Sequence, residues 1–297
     1  MPEISYDASQ QWLLNLILAL MILGLALDVR PRDFLSVFKA PKAPLVGLAA
    51  QFLVLPALTW VLTMLIDLEP GIELGMILVA ACPGGALSNF ITHLSGGNTA
   101  LSISITAMAS VLAVFLLPIN FVFWASMNPE TDQLMQSIDV DGSDIFLSLV
   151  LVLGIPLVLG FALQKVVPVI AEKLHVVLKY FGVLALFVFI FAAVAKNFEH
   201  FIAQFWLLLA IVFIHNGLAL LIGFFASSLG HLPVRDKKAI TLEVGMQNSS
   251  LAIAIVFSQF SGEYGMALIS AFWGTWHIVS GLLIAMFFKY RMKRAEA

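Results

Sequence analysis

Long apolar segments recur along the whole chain, and this feature limits the fold more than any other. The chain is 61% hydrophobic and only 11% charged, whereas soluble domains carry roughly a quarter charged residues. A helix needs about 20 mainly apolar residues to cross a bilayer, and backbone groups in lipid must be hydrogen-bonded within the segment. The sequence therefore predicts an all-α polytopic membrane protein. We expect nine spanning helices, near residues 11–28, 43–66, 72–94, 99–124, 144–164, 174–195, 203–229, 238–260 and 264–289.

Composition and motifs exclude several classes of function. Fifteen Lys and Arg residues against eighteen Asp and Glu residues give a net charge of −3, so no basic excess is available to bind nucleic acid. We find neither an HExxH zinc motif nor a GxSxG nucleophile motif, and we therefore do not expect an enzyme. The N-terminus, MPEISYDASQ, has no Lys or Arg, so the first apolar segment is expected to be retained rather than cleaved as a signal peptide.

Basic residues between the predicted spans are strongly asymmetric. Fourteen of them fall on one side: Arg30, Arg32, Lys39, Lys42, Lys165, Lys173, Lys179, Arg235, Lys237, Lys238, Lys289, Arg291, Lys293 and Arg294. The other side has Lys196, and its longest loop carries Glu130, Asp132, Asp139 and Asp141. Because cytoplasmic loops concentrate Lys and Arg, we predict an outside N-terminus and a cytoplasmic C-terminus.

Two of the predicted spans contain residues that interrupt a helix in lipid. The third carries Pro83, Gly84 and Gly85 consecutively, and the eighth places four polar side chains among seven consecutive residues, 243–249. The two spans are five apart, so they cross the membrane in opposite directions. This pattern is typical of transporters built from inverted repeats, in which two broken helices meet near the bilayer midplane. We expect one domain, 1–297, with a first repeat near 11–124 that lacks its first helix and a second near 144–289.

Glu243 is the one charged residue that we place deep inside a span. A central acidic residue costs roughly 2.5 to 3.5 kcal/mol on insertion scales, so it needs a partner in the protein interior. No Lys or Arg is predicted at that depth. A bound cation, a proton or a dense set of hydrogen-bond donors remain as partners, and a protonated glutamate that only ties helices together is the structural alternative.

Five sequence blocks carry a resemblance to a known family. They are ACPGGALSN (81–89), GNTALSISITA (97–107), HNG (215–217), EVGMQNS (243–249) and TWHIVSG (275–281). In these blocks the chain resembles the bile acid sodium symporter family. The resemblance implies two five-helix inverted repeats, a core and a panel subdomain, and two broken helices that cross in the core. This chain resembles the nine-span form, which lacks the first helix on the panel side.

The resemblance also implies two sodium sites and a substrate site. The first sodium site would use Ser88, Asn89, Ser102, Thr106 and Glu243. The second would use Gln51, the Glu243 carboxylate, the carbonyl groups of Val244 and Met246, and Gln247. Asn248, His277, and the backbone that includes Ala86 and Leu87 would contact the substrate. The spacing of Ser102 and Thr106 independently places both hydroxyl groups on one helix face.

The implied function is sodium-coupled symport of an organic anion by alternating access, with two sodium ions per cycle. The anion would be bile acid-like or a smaller carboxylate such as pantoate or pyruvate. Ala86 and Ile278 stand where a related bacterial member has polar residues, which argues against simple transfer of a known substrate. An exporter of an arsenite-like species with Cys82 as its thiolate, another carrier not coupled to sodium, and a sensor that binds without transport remain as alternatives. We also expect the protein to be a monomer in the lipid bilayer of a bacterial inner membrane.

Overall fold

The computed structural model describes residues 8–30, 33, 37, 40–137, 142–196 and 198–296. Within these ranges the chain is helical and forms no β-strand. We number twelve helices: α1 Ala8–Asp28, α2 Lys42–Leu65, α3 Pro70–Ala81, α4 Ala86–Leu94, α5 Thr99–Ser126, α6 Pro129–Ser137, α7 Gly142–Val166, α8 Pro168–Lys196, α9 Phe198–Leu229, α10 Val234–Gly245, α11 Ser249–Gln259 and α12 Tyr264–Glu296.

The lengths and hydropathy of these helices confirm an all-α polytopic membrane protein. Among the described residues, five helical segments are long and apolar enough to cross a bilayer: Lys42–Leu65, Thr99–Ser126, Gly142–Val166, Phe201–Leu229 and Tyr264–Tyr290. Shorter apolar helical segments are Asn15–Leu27, Pro70–Ala81 and Ser249–Gln259. The third and eighth predicted spans each form two shorter helices, α3 with α4 and α10 with α11.

The first interruption follows from local backbone chemistry. Helix α3 ends at Ala81, and Cys82 has extended dihedral angles, φ −67° and ψ 152°. A residue before proline is driven away from helical angles, and proline has no N–H group to donate. The predicted break at Pro83 is confirmed, and the helix resumes at Ala86.

The second interruption contains no proline. Helix α10 ends at Gly245, and Met246 leaves helical geometry with φ −125° and ψ 80°. Asn248 begins the next helix, because its side-chain oxygen accepts a hydrogen bond from the Leu251 N–H at 3.1 Å. This contact is an N-cap, which replaces one of the backbone partners missing at a helix start.

Helix packing divides the described residues into a central group and a lateral group. Every residue of α3 from Gly71 to Ala81 is buried, and α3 packs against α5 and α12. Helices α1, α7 and α8 pack together at the side, where a separate small cluster contains Leu27, Ala171 and Leu178. Pro83 and Gly84 at the first interruption and Met246 and Gln247 at the second are buried. The nonhelical backbone therefore lies inside the protein, where protein groups can satisfy it.

The acidic loop contains an element that the sequence did not predict. Helix α6 occupies part of it, with Glu130 and Asp132 in its first turn. Asp139 and Asp141, on which the orientation prediction also depends, lie outside the described residues, as do Arg32, Lys39 and residues 1–7.

Glu243 is not alone among the charged residues in being buried. Glu73 and Lys238 are buried too, at 2% and 4% exposure, but each lies near the start of its helix rather than at depth.

Candidate functional site

The two helix interruptions meet through their backbones. The Asn248 N–H donates to the Pro83 carbonyl at 2.9 Å, and the Gly85 N–H donates to the Met246 carbonyl at 3.2 Å. Gly84 and Gln247 thereby form an isolated antiparallel bridge. Backbone groups that each helix leaves unpaired at its end are in this way satisfied by the other broken helix.

Glu243 lies beside this junction and is fully buried. Its Oε2 accepts hydrogen bonds from Ser88 Oγ at 2.6 Å and Ser102 Oγ at 2.8 Å. Its Oε1 accepts one from Thr106 Oγ1 at 2.5 Å. In the described part of the chain, every hydrogen-bond partner of this carboxylate is a hydroxyl group.

The close oxygen–oxygen contacts around Glu243 outnumber the hydroxyl hydrogens that could form hydrogen bonds in them. Thr106 Oγ1 lies 2.5 Å from Glu243 Oε1, 3.0 Å from the Ser102 carbonyl and 3.1 Å from Asn89 Oδ1. A hydroxyl carries one hydrogen, so two of these three contacts have none between them. Ser88 Oγ similarly lies 2.8 Å from the Gly85 carbonyl as well as near Glu243. A cation with a preference for oxygen ligands, or an added proton, would relieve this excess of acceptors.

The five residues predicted for the first sodium site are therefore brought together. Ser88, Ser102 and Thr106 contact the carboxylate directly, and Asn89 joins the cluster through Thr106. Thr106 Oγ1 also lies 3.0 Å from the Ser102 carbonyl, four residues earlier, which is the back-bonding position common for threonine in membrane helices.

Gly84 forms one wall of this cluster, a role that the sequence analysis did not predict. A Cβ atom at this position would overlap Glu243 Oε1 and lie 3.4 Å from Gln51 Nε2. Only a residue without a side chain allows the backbone to approach the carboxylate so closely. The sequence predicts this glycine as part of a helix break, but its proximity to Glu243 depends on residues 159 positions apart in the chain and has no local sequence signal.

The side chains predicted for the second sodium site also lie together. Gln51 is fully buried in a π-helical turn, Ala50–Val54, within α2. Its Nε2 donates to Gln247 Oε1 at 3.1 Å, and Gln247 Nε2 donates to the Val244 carbonyl at 2.9 Å. Gln51 Oε1 is buried and has no hydrogen-bond partner among the residues that the structure describes. Such an oxygen is a candidate ligand, and single π-turns occur frequently at functional sites. Periodicity alone had indicated an ordinary helix here.

Two of the residues predicted to contact the substrate, Asn248 and His277, form hydrogen bonds within their own helices. Asn248 uses its side-chain oxygen as the cap of α11. His277 is buried, and its Nδ1 lies 2.6 Å from the Trp273 carbonyl; since a carbonyl only accepts, Nδ1 must donate. Ala86 is exposed and Leu87 half-buried at the start of α4.

A small, mainly apolar cavity lies near the junction but does not contain the predicted substrate residues. It is lined by Pro83 and Leu251 at the two interruptions and by Ser110 on α5, together with residues of the lateral group: Ile22, Leu25, Leu153 and Leu157. Cys82, on which the thiolate exporter alternative depends, is fully buried in the main core.

Comparison with known proteins identifies the family. Residues 15–204 match the model of the Sodium Bile acid symporter family. The chain is 29% identical over 285 residues to the uncharacterized sodium-dependent transporter YocS of Bacillus subtilis (strain 168), covering 96% of this chain and 85% of that protein. It is 25% identical over 254 residues to the human ileal sodium/bile acid cotransporter, covering 84% and 70% respectively.

A longer plant relative matches over a smaller share of its own length. The probable sodium/metabolite cotransporter BASS2, chloroplastic, of Oryza sativa subsp. japonica is 26% identical over 274 residues. That alignment covers 92% of this chain and 63% of the plant protein. The chain belongs to the sodium bile acid symporter family, and it is a sodium-dependent transporter rather than an enzyme.

Proposed function

We propose that this protein carries an organic anion across a membrane together with two sodium ions, by alternating access. The observation that carries the proposal is the environment of Glu243. This fully buried carboxylate is surrounded by hydroxyl and amide oxygens. These oxygens make more close oxygen–oxygen contacts than their hydroxyl hydrogens can bridge. Hard cations such as sodium prefer oxygen ligands, and a single carboxylate suits a monovalent ion better than calcium.

Each sodium ion would have its own set of ligands. Ser88, Asn89, Ser102, Thr106 and Glu243 would hold the first ion. The second would be held by Gln51, Glu243, the carbonyl groups of Val244 and Met246, and Gln247. The second site is supported by Gln51 Oε1, which is buried and has no hydrogen-bond partner in the described part of the chain. Two sodium ions with one monovalent anion would move one net positive charge, worth about 2.3 kcal/mol per 100 mV of membrane potential.

We infer nine spanning segments arranged as two inverted repeats within a single domain. The pairing of the α3/α4 and α10/α11 interruptions supports corresponding positions for these helices in the repeats. Helices α1, α7 and α8 would form the panel, since they pack together, and the remaining spans would form the core. The excess of Lys and Arg on one side supports a cytoplasmic C-terminus and an outside N-terminus. We further propose a monomer in a bacterial inner membrane.

The substrate would bind where α4 and α11 begin. The N-terminal end of a helix carries partial positive charge and favours anions, and these two half-helices start at the same junction. Ala86, Leu87, Asn248 and His277 are the proposed contacts. The apolar cavity lies between the lateral helices and this junction, and Ala86 and Ile278 are apolar and exposed. These features favour an anion with an apolar portion.

The sodium dependence of thermal stability tests the proposal without a known substrate. The melting temperature of the purified protein would be measured in detergent over matched titrations of sodium and potassium chloride. A ligand that binds the folded state raises stability by mass action, about 2.7 kcal/mol at 100 times its dissociation constant. We expect a sodium-selective rise in the wild type that Glu243→Gln abolishes.

Glu73→Gln is the matched control for this experiment. Glu73 is also a buried glutamate of an interrupted helix, but its carboxylate contacts Asn128 and the Leu68 N–H instead of the hydroxyl cluster. This variant should keep the sodium response. Identical melting curves in the two salts for the wild type would refute sodium binding, and an equal loss in both variants would refute the assignment to Glu243.

A further inference from the structure

The last carbonyl groups of α10 lie at the interruption, where no next turn of helix can bond to them. The Val244 carbonyl accepts from Gln247 Nε2 at 2.9 Å, and the Met246 carbonyl accepts from the Gly85 N–H at 3.2 Å. The carbonyl of Gly245, between these two, is bonded differently. It accepts from Asn216 Nδ2 of α9 at 2.7 Å, a buried contact between residues 29 positions apart.

The orientation of Asn216 follows from its two partners. A carbonyl can only accept, so the amide nitrogen must face Gly245, and the amide oxygen faces the opposite way. That oxygen accepts from Ser280 Oγ of α12 at 2.6 Å. Asn216 is 1% exposed, so water cannot replace either bond. A continuous path of two hydrogen bonds thus joins α12, α9 and the end of α10.

The preceding residue extends this bridge to α2. His215 Nε2 lies 2.8 Å from Thr59 Oγ1, and Thr59 belongs to the same helix as Gln51. The His215 ring also lies 4.6 Å from the Trp273 ring of α12. Two consecutive residues of α9 therefore contact the helix that carries Gln51, the end of α10 and the helix that carries His277.

Because α9 and α10 pack closely, the hydrogen bond from Asn216 to the Gly245 carbonyl depends on the relative position of these two helices. A Cβ atom on Gly245 would overlap the Leu220 side chain of α9, so α9 and α10 approach closely at this glycine. The Gly245 carbonyl belongs to the planar peptide unit between those that carry the Val244 and Met246 carbonyls. Fixing its direction therefore fixes the Cα atoms of Gly245 and Met246, from which the two neighbouring units extend. Ser280 lies less than one turn from His277 and also contacts its carbonyl, at 3.2 Å.

We propose that Asn216 is a positioning residue, which directs the Val244 and Met246 carbonyls toward the second sodium ion and links that ion to α12 through Ser280. This inference rests on the sodium sites of the proposed function. Asn216 does not contact the ion itself. By fixing the direction of the Gly245 carbonyl, it sets the spacing of the neighbouring oxygens and so the size of the cation that they fit.

Asn216→Leu tests the inference, because leucine is of similar size, adds no charge and cannot donate. Asn120→Leu is the matched control: Asn120 is buried on α5, and its Nδ2 donates at 2.9 Å to the Leu116 carbonyl of its own helix. The sodium and lithium dependence of the melting temperature would be measured for both. We expect the half-saturating sodium concentration to rise about tenfold in Asn216→Leu and its ratio to that of lithium to change. Asn120→Leu should retain the wild-type values.

Ser280 provides a second variant that leaves Asn216 in place. Ser280→Ala should shift the ion response in the same direction by a smaller factor, and Ser280→Thr should restore it because the hydroxyl is kept. A lower melting temperature with unchanged sodium and lithium dependence in both Asn216→Leu and Ser280→Ala would overturn the positioning role while leaving the proposed function intact. A wild type without any sodium response would overturn both.

Discussion

The two interruptions that meet at the centre of the molecule arise in different ways. Between α3 and α4 the chain itself dictates the break, since Pro83 lacks an N–H group and two glycines follow it. Between α10 and α11 there is no proline, and the break is stabilised by side chains. Asn216 bonds the Gly245 carbonyl, Gln247 bonds the Val244 carbonyl, and Asn248 caps the next helix.

This difference gives the two interruptions complementary contributions to the candidate site. The first provides space, because Gly84 has no side chain where the Glu243 carboxylate lies. The second provides charge and polar groups, with Glu243 before its break and Gln247 within it. Two kinds of substitution should therefore damage the site in opposite ways. A side chain at Gly84 would occupy the space of the site, whereas loss of polar groups near Glu243 would remove its candidate ligands.

Alanine substitutions at the two adjacent glycines should have very different effects. A Cβ atom at Gly84 would overlap the Glu243 carboxylate, whereas one at Gly85 would have its nearest neighbour at 3.7 Å. We expect Gly84→Ala to abolish the sodium-dependent rise in melting temperature and to destabilise the protein by about 1 to 3 kcal/mol through overpacking. Gly85→Ala should change both quantities little. Equal sodium responses in the two variants would contradict the role of Gly84 as the wall of the site.

Two serines of α5 allow a similar comparison for the polar groups. Ser102 Oγ donates to Glu243 at 2.8 Å, while Ser104 Oγ donates to the Ala100 carbonyl of its own helix at 2.8 Å. Removing the first hydroxyl takes away a candidate sodium ligand and a partner of a buried carboxylate. We expect Ser102→Ala to raise the half-saturating sodium concentration about tenfold, as measured by thermal shift, and Ser104→Ala to leave it unchanged. Similar values for both serine variants would place the ion elsewhere.

The sequence predicts most of the first break and of the cluster around Glu243. Periodicity and hydropathy indicate the spans, and Pro83 marks the end of α3 because proline acts locally. An isolated glutamate in an apolar span indicates a buried polar partner on the basis of insertion energy alone. The identity of those partners came from family resemblance, and the structure then placed the hydroxyls of Ser88, Ser102 and Thr106 within 2.8 Å of the carboxylate.

The features that the sequence did not predict depend on contacts between distant segments. The π-turn that contains Gln51 leaves the same apolar pattern as a regular helix, and the fit of Gly84 against Glu243 requires both broken helices in place. From the sequence, Asn216 is recognisable only as an amide within an apolar span. Its bridge is not predictable, because its partners, Gly245 and Ser280, lie far from it in the chain. The second break is visible as a run of polar residues, but two of its contacts, from Asn216 and from the Gly85 N–H, come from distant parts of the chain.

The smallest effect concerns the N-cap, where the two interruptions also differ. Gly85 precedes α4 without a side-chain cap, whereas Asn248 caps α11 through its side-chain oxygen. We expect Asn248→Ala to lower the free energy of unfolding by about 1 kcal/mol and Asn248→Asp to restore it, because aspartate caps as well as asparagine does. Chemical unfolding of the three proteins would measure this difference. If Asn248 also contacts the anion, Asn248→Asp should retain stability but weaken anion uptake, since a new negative charge would stand at the helix start. Equal stability of all three proteins would show that the cap contributes little and that the contacts of Asn216, Gln247 and Gly85 maintain the second break.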